Sequence, residues 1–428
     1  MTSCACPGEG AGSDDEREDT APTEKANTVT IYGRPIRLLS VPWRAHLDGL
    51  ATIGKQRGVC VASVSPMQAF RLTAPHEMRL SSVSDPEPGP GDVLIKVGAA
   101  GVCHSDLHII EAPAGAFPLP MTLGHENAGW VEALGPGVTG WNRGDAVAIY
   151  GILGCGRCFA CLRGRDNECR TVPVGGIGLS RDGGIAEYVV VPAKQLLPIG
   201  ELDVSQAAPL TDAGLTPYHA IDLARDGLRP GTACVVIGVG GLGHMAVQIL
   251  AATTSVRIIA VDLSDEALEL AGRLGAQHTI KSDANASTFI RELVGPPPGG
   301  AEAVFDFVGV SATVKLAASV VSTGGQLMLV GLGGGTLPIT PGVADIGVPM
   351  ETRVIVPFWG TRAELAEVIA LARAGRVTAH VESFPLASAH DAYKRLREGT
   401  LRGRAVIVPG ARADRPAEPA KTKGAVAR

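Results

Sequence analysis

Gly238-Val239-Gly240-Gly241-Leu242-Gly243 follows the apolar run Ala233 to Ile237 and leads into a segment with helical character. A glycine-rich turn between a buried strand and a helix permits few folds. The glycines allow a tight turn and close approach of a pyrophosphate, and the helix N-terminus offers unpaired N–H groups to it. A second apolar run, Arg257 to Val261, ends at Asp262, 19 residues beyond Gly243. A carboxylate at about 20 residues accepts hydrogen bonds from the adenosine ribose hydroxyls and repels a 2′-phosphate. NAD is therefore expected over NADP, the more so because no Arg or Lys directly follows Asp262. The blander readings are a purely structural turn for the hexad and a cap for the helix near Ser264 and Asp265 for the acid. A helix over Asp265 to Leu274 and strands at Ala303 to Phe307 and Gln326 to Val330 continue the alternation. Such alternation predicts a doubly wound parallel sheet of the Rossmann kind over residues 212–350.

A chain of 428 residues exceeds one ordinary domain. Between Met67 and Thr211 the pattern is of short strands, such as Asp92 to Val97 and Ala186 to Val191, with turns like Pro88-Gly89-Pro90-Gly91. This half reads as β-rich, and residues 351–410 join it, with a helix at Arg362 to Ala374 and a last strand near Ala405 to Val408. Residues 1–66 lack sustained periodicity and read as a disordered extension, or as sequence upstream of an initiator at Met67. Residues 411–428, rich in Ala, Pro, Lys and Arg, read as a disordered tail.

Four of the nine cysteines form Cys155-x2-Cys158-x2-Cys161-x7-Cys169. Four soft thiolates on one short loop can close a tetrahedral zinc site with no open position, which gives such a metal a structural duty. Disulfides compete poorly, since neighbours two residues apart seldom reach the required geometry and an intracellular chain keeps thiols reduced. The start lacks the basic and apolar regions of a signal peptide, so a cytoplasmic protein is expected. The most apolar window, Ala233 to Val256, contains His244 and Gln248 and is broken by several glycines, which suits a strand, turn and buried helix better than a membrane span. A net charge of −5 without a basic stripe argues against nucleic acid or a membrane surface as partner and leaves a small molecule.

Two further turns concentrate metal ligands and proton carriers: Cys103-His104-Ser105-Asp106 with His108, and Gly124-His125-Glu126. Each alone is ambiguous. Together with the four-cysteine loop, the Gly238 hexad, Asp262 and Gly403-Arg404, they resemble the zinc-dependent medium-chain alcohol dehydrogenases across nearly all of Met67 to Gly410. Leu210-Thr211-Asp212-Ala213-Gly214-Leu215-Thr216-Pro217-Tyr218-His219 and Phe358-Trp359-Gly360-Thr361-Arg362 look most like the bacterial secondary alcohol dehydrogenases. The resemblance implies a GroES-like catalytic domain beside the Rossmann domain, NAD and two zinc ions per chain, and a dimer or tetramer. It implies that Cys103, His125 and Asp212 bind the catalytic zinc, Asp212 standing where many relatives have cysteine and contributing the same charge. It further assigns Ser105 and His108 to a proton relay, Asp106 to orienting His125, and Glu126 to modulating the metal. Gly238, Gly240, Gly241, Leu242, Gly243, Asp262, Thr216, Arg404 and His104 would face the dinucleotide.

A zinc with three protein ligands keeps a fourth position for an alcohol oxygen, so the implied reaction is hydride transfer from a zinc-bound alkoxide. Phe358 and Trp359 would wall an apolar cleft suited to hydrophobic secondary, and also primary, alcohols and the matching ketones and aldehydes. A polyol or formaldehyde dehydrogenase of the same superfamily is the alternative within enzymes. A catalytically silent protein that merely binds NAD and zinc is the alternative outside them, and the intact Cys103, Ser105, His125 and Asp212 argue against it.

Overall fold

The computed structural model describes residues 66–172, 175–296, 298–340 and 347–410, together with two backbone strands, Thr28–Ile31 and Arg34–Arg37, that pair antiparallel. The rest of the expected N-terminal extension and the expected tail at 411–428 lie outside the described residues. No described helix is long and apolar enough to cross a membrane.

From Met67 onward the chain builds a β-rich part first. Met67–Ala74 pairs with Glu77–Val83 and Met121–Thr122 in a small sheet. A larger sheet runs in the order Leu196–Pro198, Ala146–Ile149, Glu126–Leu134, Asp92–Gly101, Arg404–Val408, Val381–Pro385, with Tyr188–Pro192 also paired to Asp92–Gly101. Register in this sheet gathers segments that are distant in the chain. Gly101 lies opposite Glu126 in an antiparallel pair, and Val406 lies opposite Gly101 in the next one. The segment after Gly101, the residue before Glu126 and the start of the last strand therefore meet at one end of the sheet. The last two strands come from near the C-terminus, so this part is closed by sequence some 300 residues distant, Val406 pairing with Gly101.

Between these segments lies a six-stranded parallel sheet in the order His278–Lys281, Arg257–Asp262, Ala233–Ile237, Ala301–Asp306, Val321–Leu329, Arg353–Ile355. Ala233–Ile237 is buried at every position, as a central parallel strand covered on both faces must be. Helices flank it. Asp265–Leu274 is N-capped by Ser264, whose hydroxyl accepts from Ala267 N, and stops at Gly275, with φ of 117°. Arg362–Arg373 opens on a Thr361/Glu364 capping box.

Element bounds follow the expected pattern with one difference of consequence. The sixth parallel strand, Arg353–Ile355, lies past the boundary expected at residue 350. Three residues are too few for periodicity to declare them, and only pairing with Gln326–Met328 makes them a strand. The order places the reversal of winding between Ala233–Ile237 and Ala301–Asp306, and the crevice beyond their carboxyl ends is where such sheets bind ligands.

Candidate active site

A cavity of about 550 Å³ opens between the two sheets. Its lining includes Cys103, His104, Ser105, His108, His125, Asp212, Thr216, Gly238, Gly240, Gly241, Leu242, Gly243, Asp262, Phe358, Trp359 and Arg404. Residues expected from seven separate stretches of sequence thus share one space. Asp106 and Glu126 are fully buried behind that lining, and the four-cysteine loop forms a separate cluster.

Ligand atoms of Cys103, His125, Glu126 and Asp212 all lie within 4.8 Å of one another. Cys103 caps the short helix His104–Ile110 at the end of the strand Asp92–Gly101, and His125 precedes the strand paired with it. Asp212 arrives from a buried π-helical turn, Leu210–Gly214. Asp212 Oδ2 stands 3.6 Å from Cys103 Sγ and 3.5 Å from His125 Nε2. Supporting contacts fix each donor. His125 Nδ1 is 3.1 Å from Asp106 Oδ1, so in the neutral ring a proton held on Nδ1 would leave Nε2 to a metal bound at the cluster. Asp106 Oδ2 also accepts from Cys103 N (3.0 Å) and Tyr393 OH (3.2 Å). Thr216 Oγ1 donates to Asp212 Oδ1 at 2.6 Å, leaving Oδ2 turned toward the cluster.

The electrostatics are those of a site built for a cation. Burial disfavours charge on His125, yet Asp106 and Asp212 hold its pKa well above the ordinary histidine value. Burial likewise opposes ionisation of Asp212, but His125 and Arg404 keep it below the usual carboxylate range. Glu126 is pushed up to about 7 by burial, against the pull of Arg404. Arg404 is 3% exposed. Its Nε donates to Glu126 Oε2 at 2.9 Å, Nη2 donates to Glu126 Oε1, and Nη2 lies 3.4 Å from Asp212 Oδ2. A Cβ on Gly241 would meet Arg404 Nη1 at 2.7 Å, so this guanidinium spans the acidic cluster and the glycine turn. It is not the solvated terminal-strand arginine that sequence alone allows.

At the glycine turn, a Cβ on Gly243 would sit 1.8 Å from Gly238 O, whereas one on Gly240 would meet nothing within 4 Å. Asp262 serves two backbone groups: Oδ2 accepts from Val239 N (2.7 Å) and Oδ1 from Ser264 N (2.8 Å). Asp262 thus lines the cavity and braces the turn before the helix, whose cap is Ser264 and not this acid. Phe358 is 37% exposed and Trp359 4%. The Trp359 indole packs edge-on against His125 at 5.5 Å and donates to Thr211 O at 2.7 Å, so Trp359 is both core and wall.

The second cluster, Cys155, Cys158, Cys161 and Cys169, also brings its sulfurs within 4.8 Å. Hydrogen bonds from Arg157 N and the Thr171 hydroxyl bring Cys155 down to about 6, and backbone donors lower Cys158. Burial and Asp166 push Cys161 the other way. Thiolate character at the first two sulfurs and four convergent soft donors fit a closed zinc site.

Sequence reasoning did not single out Tyr393, Asn167, Leu179, Leu332 or Pro357. Tyr393 braces Asp106, and Leu179, Leu332 and Pro357 add apolar lining. None carries a local motif.

Comparison with known proteins points to one family. Residues 89–201 match the alcohol dehydrogenase GroES-like domain and residues 241–374 the zinc-binding dehydrogenase domain. The chain is 36% identical over 356 residues to an NAD-dependent alcohol dehydrogenase of Sulfurisphaera tokodaii, covering 80% of this chain and 100% of that protein. An alcohol dehydrogenase structure from Aeropyrum pernix superposes with a TM-score of 0.74 at 35% identity, over 80% of this chain and 100% of that one. Acetophenone reductase of Geotrichum candidum, solved with NAD, gives 0.72 at 31% identity, over 81% and 98%.

Proposed function

The chain belongs to the zinc-binding alcohol dehydrogenase family, and on that premise we propose that it oxidises hydrophobic secondary alcohols, and primary ones, with NAD, and runs the reverse reduction of ketones and aldehydes. One observation carries the reading: Cys103, His125 and Asp212 converge in the same cavity as the glycine turn and Asp262. Cys103, His125 and Asp212 would hold a catalytic zinc, with Glu126 beside it. Cys155, Cys158, Cys161 and Cys169 would hold a structural one.

When bound, zinc supplies Lewis acidity to the alcohol oxygen and the nicotinamide supplies the carbon that accepts hydride. The side chains supply placement and proton movement. Asp106 fixes the His125 tautomer and Thr216 fixes Asp212. Ser105 Oγ, 3.7 Å from Cys103 Sγ, is placed to take the hydroxyl proton. His108, three residues on along the same helix and exposed, is placed to pass it to solvent. His104, Gly238, Gly240, Gly241, Leu242, Gly243 and Arg404 face the dinucleotide phosphates in this reading. Asp262 faces the adenosine ribose and selects NAD. Phe358, Trp359, Leu179, Leu332 and Pro357 make the alcohol cleft mainly apolar, which favours hydrocarbon-bearing substrates over polyols.

We assign residues 67–211 and 356–410 to the catalytic domain and 212–355 to the dinucleotide domain. Self-association is supported by the edge strand Arg353–Ile355, flanked by Met350 at 68% and Val356 at 66% exposure. Metal-binding thiolates suit a cytoplasmic setting. The direct test measures zinc by mass spectrometry and NADH formation over a panel of secondary, primary and polyhydroxy alcohols. A chain active only on polyols, or inactive with two zincs bound, would defeat the proposal.

A further inference from the structure

Among the described residues, one side chain hydrogen-bonds the four-cysteine loop to the alcohol cleft's aromatic wall. Asn167 lies in the turn Asp166–Glu168, directly before Cys169. Its Nδ2 donates to Phe358 O at 3.1 Å and lies 3.5 Å from His219 Nε2. His219 is buried on the helix Leu215–Leu223, which also carries Thr216, and its Nδ1 is 2.8 Å from Glu364 Oε1. A proton on Nδ1 directed at that carboxylate leaves Nε2 as the acceptor Asn167 requires.

The segment 358–361 is held one residue at a time. Phe358 O is held by Asn167, the Trp359 indole by Thr211 O, Gly360 O by Tyr150 OH at 2.8 Å, and Thr361 N by Glu364 Oε2 at 2.6 Å. Trp359 has φ of 52°, a left-handed conformation that a bulky residue keeps only when its surroundings impose it. Three of these ties come from the core or the segment's own helix cap. Among the described residues, Asn167 alone hydrogen-bonds the cysteine loop to the segment, and it does so at Phe358, which is more exposed than its neighbour Trp359. Meanwhile Asn167 Oδ1 is buried without a hydrogen-bond partner among the described residues. A half-satisfied amide costs stability, which points to a position kept for its donating end.

We propose that Asn167 is a specificity-positioning residue, carrying the placement of the four-cysteine loop to the Phe358 wall and so setting which alcohols the cleft accepts. The loop then has a duty beyond stability: its metal anchors the turn from which Asn167 reaches the wall. The specificity part rests on the alcohol dehydrogenase reading; the mechanical tie does not.

The test compares wild type with Asn167→Asp, which keeps the shape and replaces the donor by an acceptor, Asn167→Leu, and Asn167→Gln, which restores an amide. Metal content and NADH affinity are checked first, since all variants should keep both. With 1-phenylethanol the Asp and Leu variants should raise KM about tenfold, with kcat for it and KM for 2-propanol within about twofold and partial recovery in the Gln variant. Hydrogen exchange of the backbone amides in 358–361 should rise in the Asp and Leu variants. Equal KM shifts for large and small alcohols would overturn the specificity role, and unchanged exchange in 358–361 would overturn the tie itself. A wild-type chain that oxidises no alcohol, yet shows the exchange difference, would remove the function and leave the tie standing.

Discussion

Two neighbouring glycines separate binding from folding. At Gly240 the backbone lies outside the left-handed region and an added Cβ meets nothing within 4 Å, so alanine fits the protein without strain. Gly240→Ala should leave stability unchanged or raise it by about 0.5 kcal/mol, by narrowing the unfolded ensemble. Gly240 nonetheless faces the cavity where the pyrophosphate is proposed to approach the backbone. A methyl there displaces the phosphates from their N–H donors, and loss of one or two such charge-assisted bonds corresponds to roughly 1.5–3 kcal/mol, or about 10- to 100-fold in dinucleotide Kd. At Gly243 the Cβ would lie 1.8 Å from Gly238 O, against a practical minimum of 3.0 Å, so backbone must retreat by 3.0 − 1.8 = 1.2 Å. The obstacle is a carbonyl in the turn itself and cannot rotate aside as a side chain would. Gly243→Ala should therefore cost about 3 kcal/mol or more and lower Tm by several degrees, before any ligand is added. Differential scanning fluorimetry with and without NAD, beside NADH fluorescence titration, measures both. The reasoning fails if Gly240→Ala binds NADH as tightly as wild type, or if it loses stability while Gly243→Ala does not.

Other perturbations test the remaining parts. Asp262→Ala should weaken NAD and improve use of NADP by about tenfold each, by removing the ribose acceptor and the charge opposed to a 2′-phosphate; kcat/KM with both cofactors checks it, and an unchanged preference would leave Asp262 only its bonds to the backbone of Val239 and Ser264. Cys103→Ala or Asp212→Ala should reduce zinc from two ions per chain to one and abolish alcohol-dependent NADH formation, since each strips a ligand from one of the two clusters; two ions retained would displace these residues from the ligand set. Acid sensitivity should trace in part to His244, whose Nδ1 meets Gly240 O at 2.8 Å while Nε2 accepts from His380 N at 3.1 Å, an arrangement only the neutral ring allows. Burial, with Arg404 and His380 nearby, lowers its pKa from 6.5 to about 4. With the folded value below the unfolded one, its contribution is complete above pH 6.5 and is lost as pH falls toward 4, a change of about 3 kcal/mol. His244→Gln should flatten stability across that window in urea melts, and an unchanged slope would exclude it as the source.

Much of the molecule is legible without coordinates. A strand buried on both faces, a glycine turn and a helix start are local patterns, written within a dozen residues by burial period and backbone permission. The Cys155 loop is equally local, because its ligands crowd into fifteen consecutive positions. Cys103, His125 and Asp212 are different: their types suggest a metal, but only resemblance to a family groups them in the sequence.

Tertiary structure decided everything that depends on register and on groups far apart along the chain. Pairing of Gly101 with Glu126 and Val406 with Gly101 is what brings Cys103, His125 and Arg404 to one place. The Arg404 clasp on Glu126 spans 278 residues, and the Tyr393 bond to Asp106 spans 287. Asn167 reaching Phe358 spans 191. No periodicity announces such partners, because each contact follows from the packing of two sheets rather than from the propensity of either residue. The sequence by itself determined the chemistry available and the two kinds of domain. Where each donor ends, which carboxylate keeps its charge, and what holds the wall of the cleft were settled only when distant strands came into register.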